Sequence, residues 1–258
     1  MFELALEPNL IALLAIVAFV AGFIDAVAGG GGLLTIPALL TAGLPPHVAL
    51  GTNKLAASFG SMTASVTYYR KKLFDPKFWW QSLLATFIGA AVGTLAVDQF
   101  SADFLNKALP LVILAIAIYT LLAPQPKDDH HGLPQVCMGH RLKQWLQGLT
   151  LGFYDGFAGP GTGAFWTVSS MMLYRMNILL SSGLARTTNF VSNATSLFFF
   201  IGLGHVNFGI GITMGLCLML GAWIGAHSAI RFGGKFIRPV FITMVLLIAG
   251  KLAWEAWS

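Results

Sequence analysis

Apolar residues dominate five long runs: Leu10 to Ala28, Phe78 to Val97, Phe104 to Leu122, Phe208 to Ile230 and Phe236 to Trp254. Each is close to the roughly 20 residues a helix needs to cross the hydrocarbon of a bilayer. None alternates with period two, which argues against a β-barrel, and backbone groups in lipid must then bond within helices. Two more polar stretches of similar length complete the pattern. It predicts spans at 47–69, 78–97 and 104–122 in the first half, and at about 178–203, 208–230 and 236–256 in the second. Ahead of each trio a long helix ends at a glycine cluster, followed by a short apolar piece, 33–43 or 163–174. Such a piece rises only about 17 Å as a helix, half a bilayer. The element is either a re-entrant hairpin or a full span followed by a thinned one.

Composition sharpens this. Of 258 residues, 56% are hydrophobic and 10% charged, against about a quarter charged in soluble domains. Mean hydropathy is +0.75. A soluble enzyme is excluded, because so much apolar surface has no place to hide. The sequence pI of 9.4 does not make a nucleic-acid binder, since the Lys and Arg residues are spread over short loops. The chain reads as an all-α integral membrane protein. Its first run is not a signal peptide: Glu3 and Glu7 stand where a basic segment would be, and the apolar stretch is too long. Cys137 and Cys217 imply no disulfide framework.

The chain is written twice. Gly22-Phe23-Ile24-Asp25-Ala26-Val27-Ala28-Gly29 parallels Gly152-Phe153-Tyr154-Asp155-Gly156-Phe157-Ala158-Gly159. Thr52-Asn53 parallels Thr188-Asn189, and Gly89 and Gly93 parallel Gly221 and Gly225. The expected division is a first membrane repeat at 1–123, a cytoplasmic connecting loop at 124–143 and a second repeat at 144–258. Charge sets the relation between copies, because short cytoplasmic loops are rich in Lys and Arg. Arg70, Lys71, Lys72 and Lys77 occupy one loop of the first half, and Arg231, Lys235 and Arg238 occupy the following, non-equivalent loop of the second. Only inverted copies put both inside, together with Lys127, Arg141, Lys143 and Arg175. The expected fold is two inverted repeats, each a broken or re-entrant helix element followed by three transmembrane helices, with both termini outside.

Candidate chemistry sits at the breaks. Gly29 to Gly32 and Gly159-Pro160-Gly161-Thr162-Gly163 interrupt helices at a cost of about 1 kcal/mol per glycine against alanine. Backbone freed at membrane depth must be buried in protein or line a wet cavity. The short helices that follow present N-terminal N–H groups, and about half a positive charge, to the break. Paired breaks in corresponding positions point to a transporter site. Asp25, Lys54, Asp155 and Arg186 are ionisable residues inside the membrane, costly unless paired or hydrated. The two Asp are related by the repeat and the two cations are not, which suggests a site asymmetric in charge. Thr52, Asn53, Thr188, Asn189 and Asn193 add hydrogen-bonding groups for an oxyanion, or serve as bonds between helices. The candidate substrate-binding set is Asp25, Gly30, Gly31, Gly32, Thr52, Asn53, Lys54, Asp155, Gly161, Thr162, Gly163, Arg186, Asn189 and Asn193. Gly89, Gly93, Gly221 and Gly225 fit close helix packing better. Lys127, Asp128, Asp129, His130, His131, Cys137 and His140 match no standard zinc spacing. His47, His205 and His227 lie near predicted helix ends and read as interfacial. No metal and no cofactor is expected.

The first-half string Phe23-Ile24-Asp25-Ala26-Val27-Ala28-Gly29-Gly30-Gly31-Gly32-Leu33-Leu34-Thr35-Ile36-Pro37, followed by Gly51-Thr52-Asn53-Lys54-Leu55, resembles the sulfite exporter TauE/SafE family, also called the toluene-sulfonate uptake permease family. Gly152 to Phe157 and Asn193-Ala194-Thr195-Ser196 resemble its uncharacterised inner-membrane branch. The resemblance implies a permease of the bacterial cytoplasmic membrane carrying sulfite, thiosulfate or organosulfonates. The rivals are a transporter of an unrelated small metabolite and a passive anion channel, which would want rings of one charge sign. An intramembrane enzyme would need a nucleophile or metal set at depth, and no two His stand at i, i+4. The partners expected are a small anionic substrate and the lipid bilayer, with no nucleic acid. A homodimer and a coupling proton are both compatible with this reading.

Overall fold

The computed structural model describes residues 8–109, 111, 138–233, 236–237 and 239–240. The expected third span of each half, 104–122 and 236–256, and the loop at 124–143 with most of its His and acidic residues lie mainly outside them. Within the described residues the chain is helical, with no strand. The elements are α1 (Pro8–Ala28), α2 (Gly32–Thr41), α3 (Pro46–Arg70), α4 (Pro76–Asp98), α5 (Met138–Phe157), α6 (Thr162–Tyr174), α7 (Ile178–Gly202) and α8 (Phe208–Phe232). Residues 102–109 are also helical.

Local chemistry explains where these helices begin. Pro46 and Pro76 open α3 and α4, a position where the missing N–H costs nothing. Asp75 caps α4 through Lys77 N at 2.9 Å, Asn177 caps α7 through Leu180 N at 2.9 Å, and Asn207 caps α8 through Ile210 N at 3.1 Å. By length and apolarity α1, α4 and α8 suit a membrane crossing. Helices α3 and α7 have 25 residues each, enough for about 37 Å, but carry polar residues along their buried faces. They lie against each other, with α8 packed on α3 and α4 on α7. The apolar helices thus wrap a polar centre.

Both broken elements are hairpins. After the first break α2 turns back along α1, so that Leu39, Ala42 and Leu44 join Leu14 and Ala18 in one apolar cluster. After the second, α6 returns along α5. Thr162 Oγ1 donates to Asp155 Oδ1 at 3.2 Å, Gln147 Nε2 donates to Ser170 Oγ at 3.0 Å, and Lys143 Nζ donates to Leu173 O at 3.2 Å. Each short helix thus doubles back on the long helix before its break.

Each hairpin leans on the other half of the chain. Helix α1 packs along α8, and α5 packs along α4. The glycines foreseen as packing faces make these contacts: a Cβ on Gly89 would stand 2.5 Å from Leu149 O, and one on Gly225 would stand 2.5 Å from Phe23 O. Residues rise together along both pairs, from Gly89 and Gly93 to Leu149 and Phe153, and from Gly221 and Gly225 to Phe19 and Phe23. Helices α3 and α7 run in opposite directions. Ser65 Oγ meets Thr187 Oγ1 at 3.0 Å near one end, and Asn207 N, just beyond α7, donates to Thr52 Oγ1 at 2.9 Å near the other.

Candidate functional site

The two hairpin tips meet at the centre. Ala164 N donates to Gly29 O at 3.2 Å, across the two breaks. Gly29 and Gly159 hold φ of 87° and 88°, the left-handed region that glycine enters without penalty. A side chain on Gly29 would run into the backbone of Gly163. The tips need glycine both for their turn and for their contact.

Beside this contact is a cavity of 20 Å³, lined by Asp25, Gly29, Gly31, Gly32, Thr35, Asn53, Ala57, Asp155, Gly159, Gly161, Thr162, Gly163, Asn189, Asn193 and Leu218. That is room for a water-sized occupant with polar partners. Of the fourteen residues expected from sequence, Asp25, Gly31, Gly32, Asn53, Asp155, Gly161, Thr162, Gly163, Asn189 and Asn193 converge here. The first turns of α2 and α6 both border it, so two helix N-termini face one polar space. Gly31 N donates to Asp25 Oδ1 at 3.1 Å, and Asn189 Nδ2 stands 3.5 Å from Asp25 Oδ2.

Four expected residues stand elsewhere. Thr52 is at the end of the α3–α7 contact, holding Asn207 N. Gly30 is buried in the break, and its carbonyl accepts Leu33 N at 3.0 Å. Lys54 and Arg186 do not line the cavity but reach the second tip from behind. A Cβ on Gly159 would lie 3.1 Å from Lys54 Nζ, and one on Gly163 would lie 2.6 Å from Arg186 NH1.

The two cations differ sharply in their partners. Lys54 Nζ is 2.7 Å from Asp155 Oδ1 and donates to Asp155 O at 2.6 Å, with both side chains 2% exposed. Ser192 Oγ donates to the other carboxylate oxygen of Asp155. This pair joins the first half of the chain to the second. Arg186 is 0% exposed, and none of its three guanidinium nitrogens has a hydrogen-bond partner among the described residues. Its electrostatic counterpart is Asp25, at a longer range than an ion pair. The expected mutual neutralisation of two acids and two bases is therefore one tight pair and one loose one.

Sequence reasoning missed Ser192 and Thr35, and it named Gly29 and Gly159 at the breaks but left them out of the binding set. Thr35 Oγ1 donates to Asn53 Oδ1 at 2.5 Å and fixes that amide. Gly29 and Gly159 were legible as matching positions of the repeat. Ser192 lies on the turn of α7 that carries Asn189 and Asn193, a signal too common in membrane helices to single it out. Among the described residues, no His lines the site. His47 and His205 stack at 5.1 Å near the α7–α8 turn, His205 meets Asp98 at 2.9 Å, and His227 is exposed. No cluster of His, Cys, Asp or Glu that would hold a metal exists among the described residues.

No solved structure matches the chain. A Haemophilus influenzae protein called a probable membrane transporter is 39% identical, with 96% of each chain covered. The probable membrane transporter YfcA of Escherichia coli K12 is 36% identical over 97% of this chain and 92% of its own. A Sinorhizobium counterpart, ORF9, is 38% identical over 95% and 92%. The sulfite exporter TauE/SafE family matches residues 14–252, and with helical hairpins, paired breaks and relatives of this kind the chain belongs to that family of membrane transporters.

Proposed function

We propose that the protein is a secondary transporter of small sulfur-containing anions, such as sulfite, thiosulfate or organosulfonates, in the bacterial cytoplasmic membrane. The observation that carries this reading is the meeting of two helix breaks, with two helix N-termini bordering one buried polar cavity. Such ends favour anions, and discontinuous helices at the interface of two repeats are where transporters hold their substrates. The family description supports sulfur oxyanions as the class.

The halves at 1–123 and 144–258 act as inverted repeats. Opposite running directions of the equivalent helices α3 and α7 support this, as does the exchange in which each hairpin packs on the other half. The basic loops then lie inside and both termini outside. Alternating access would move each hairpin with its partner helix around the tips.

Purified protein in proteoliposomes, offered sulfite, thiosulfate, methanesulfonate and acetate in separate flux assays, tests the class. Sulfur oxyanions should move and acetate should not. Acetate flux without sulfur-anion flux would transfer the protein to another substrate class.

A further inference from the structure

Resting on the reading of the tips as an anion site, we infer a division of labour among its four charged residues. Arg186 binds the anion, Lys54 with Asp155 braces the two halves, and Asp25 takes up one proton as the anion arrives.

Lys54 is satisfied by a carboxylate oxygen and a carbonyl. Arg186 is fully buried, with its guanidinium donors unpartnered among the described residues. Its NH1 lies against Gly163, in the first turn of α6. A guanidinium and a helix N-terminus are both positive, and together they call for an acceptor that this part of the chain does not supply. The fork of N–H donors suits two oxygens of one oxyanion, as in a sulfonate. Glycine at 163 keeps a side chain out of that approach.

Charge decides the rest. Lys54 and Asp155 cancel at contact distance. Arg186 and Asp25 cancel only through space. An anion on Arg186 leaves this half of the core one negative charge in excess, which buried surroundings penalise heavily. A proton from solvent, bound to a carboxylate oxygen of Asp25, restores neutrality and breaks no other bond. With a single proton, a monoanion leaves the core neutral and a dianion does not, so among the sulfur oxyanions carried a monoanion binds more tightly than a dianion such as thiosulfate. The groups facing Asp25 are consistent with this role. Helix α7 contributes Arg186 and Asn189, α5 contributes Asp155, and α3 contributes Lys54, held by Asp155, and Tyr68, whose hydroxyl donates to Ala26 O at 3.3 Å. Helix α2 carries no charged residue, α6 none, and the His227 and Arg231 of α8 are exposed.

Calorimetric titration of the purified full chain with sodium methanesulfonate, which stays ionised at all working pH values, reads affinity. Repeating it in buffers of different ionisation enthalpy reads proton uptake. The parent should take up about one proton per anion and bind methanesulfonate more tightly than sulfate. Arg186→Gln should weaken binding by about 10- to 100-fold, and Arg186→Lys should recover part of it. Lys54→Gln should lower the melting temperature and affect affinity less than Arg186→Gln does. Asp25→Asn should bind without proton uptake. If Arg186→Gln folds and binds as the parent does, or if the parent binds with no proton uptake, the division of labour is overturned while the transport reading stands. Should Arg186→Gln fail to fold, Arg186→Lys decides, since parental affinity and parental preference in that variant would also overturn it. A folded parent that binds neither methanesulfonate nor sulfite overturns the transport reading itself.

Discussion

Asp25 and Asp155 match in the sequence repeat but have different surroundings. Asp155 gathers Lys54 Nζ, Thr162 Oγ1 and Ser192 Oγ, whereas Asp25 has one backbone N–H and one distant amide. Removing one member of a fully buried pair strands the other, at a cost of about 3–5 kcal/mol in soluble proteins. Lys54→Met should therefore unfold at clearly lower temperature in detergent. Lys54→Met with Asp155→Leu should regain part of the loss, because no charge is left unpaired. A double variant less stable than the single would remove the pair from this role. Ser192→Ala removes one donor to Asp155 and should cost less, about 1–3 kcal/mol, read by the same melts. The acids were legible in sequence because an Asp inside an apolar run is expensive and needs a reason. Ser192 and Thr35 were not, because most Ser and Thr in these helices bond a carbonyl one turn back, as Thr188 does with Leu184 O at 3.0 Å. Ser192 and Thr35 do the same, with Asn189 O at 3.1 Å and Gly31 O at 3.2 Å, and only geometry shows their second partners, Asp155 and Asn53.

At the scale of elements, the helix bounds lie close to those expected: 78–97, from an apolar run, against Pro76–Asp98, and 47–69, from a more polar stretch, against Pro46–Arg70. A membrane crossing has a known length requirement. What α2 and α6 pack against after the breaks was not readable, since a short apolar piece does not name its partners. The return is fixed by contacts between distant residues, such as Gln147 with Ser170 and Lys143 with Leu173. The glycine faces between α1 and α8 and between α4 and α5 hold each hairpin against the other half. Gly225→Val places methyl groups into the backbone of Phe23 and should destabilise by about 1–3 kcal/mol or more. The drop should appear as lower yield and lower melting temperature. Gly43→Val, where a Cβ would meet nothing within 4 Å despite a φ of 86°, should show mainly local turn strain and a smaller loss.

Over the whole molecule, the swap of basic loops between the halves already pointed to inverted copies. The opposing directions of α3 and α7 support it from an independent side. Reporter fusions after Lys72 and after Gly204, which end equivalent helices, should therefore report opposite sides of the membrane, with Lys72 inside. The same side for both would require parallel copies. The substrate is the part least accessible from either level: chemistry names an oxyanion through its charge and its oxygens, and the difference between sulfite and a sulfonate lies in a methyl-sized space that neither composition nor motif encodes. What ties all scales together is transport through the meeting point of the two tips, and Gly31 is the sharpest probe of it. A Cβ there would stand 2.8 Å from the Cβ of Asp25 and 3.0 Å from Ala21 O, so a larger side chain must displace Asp25 or close the cavity. Flux of methanesulfonate and sulfite into proteoliposomes, with parent and Gly31→Leu reconstituted in equal and verified amounts, measures this directly. The parent should carry the anions and Gly31→Leu should not, while remaining folded in the membrane; parental flux in Gly31→Leu would contradict a path through the breaks.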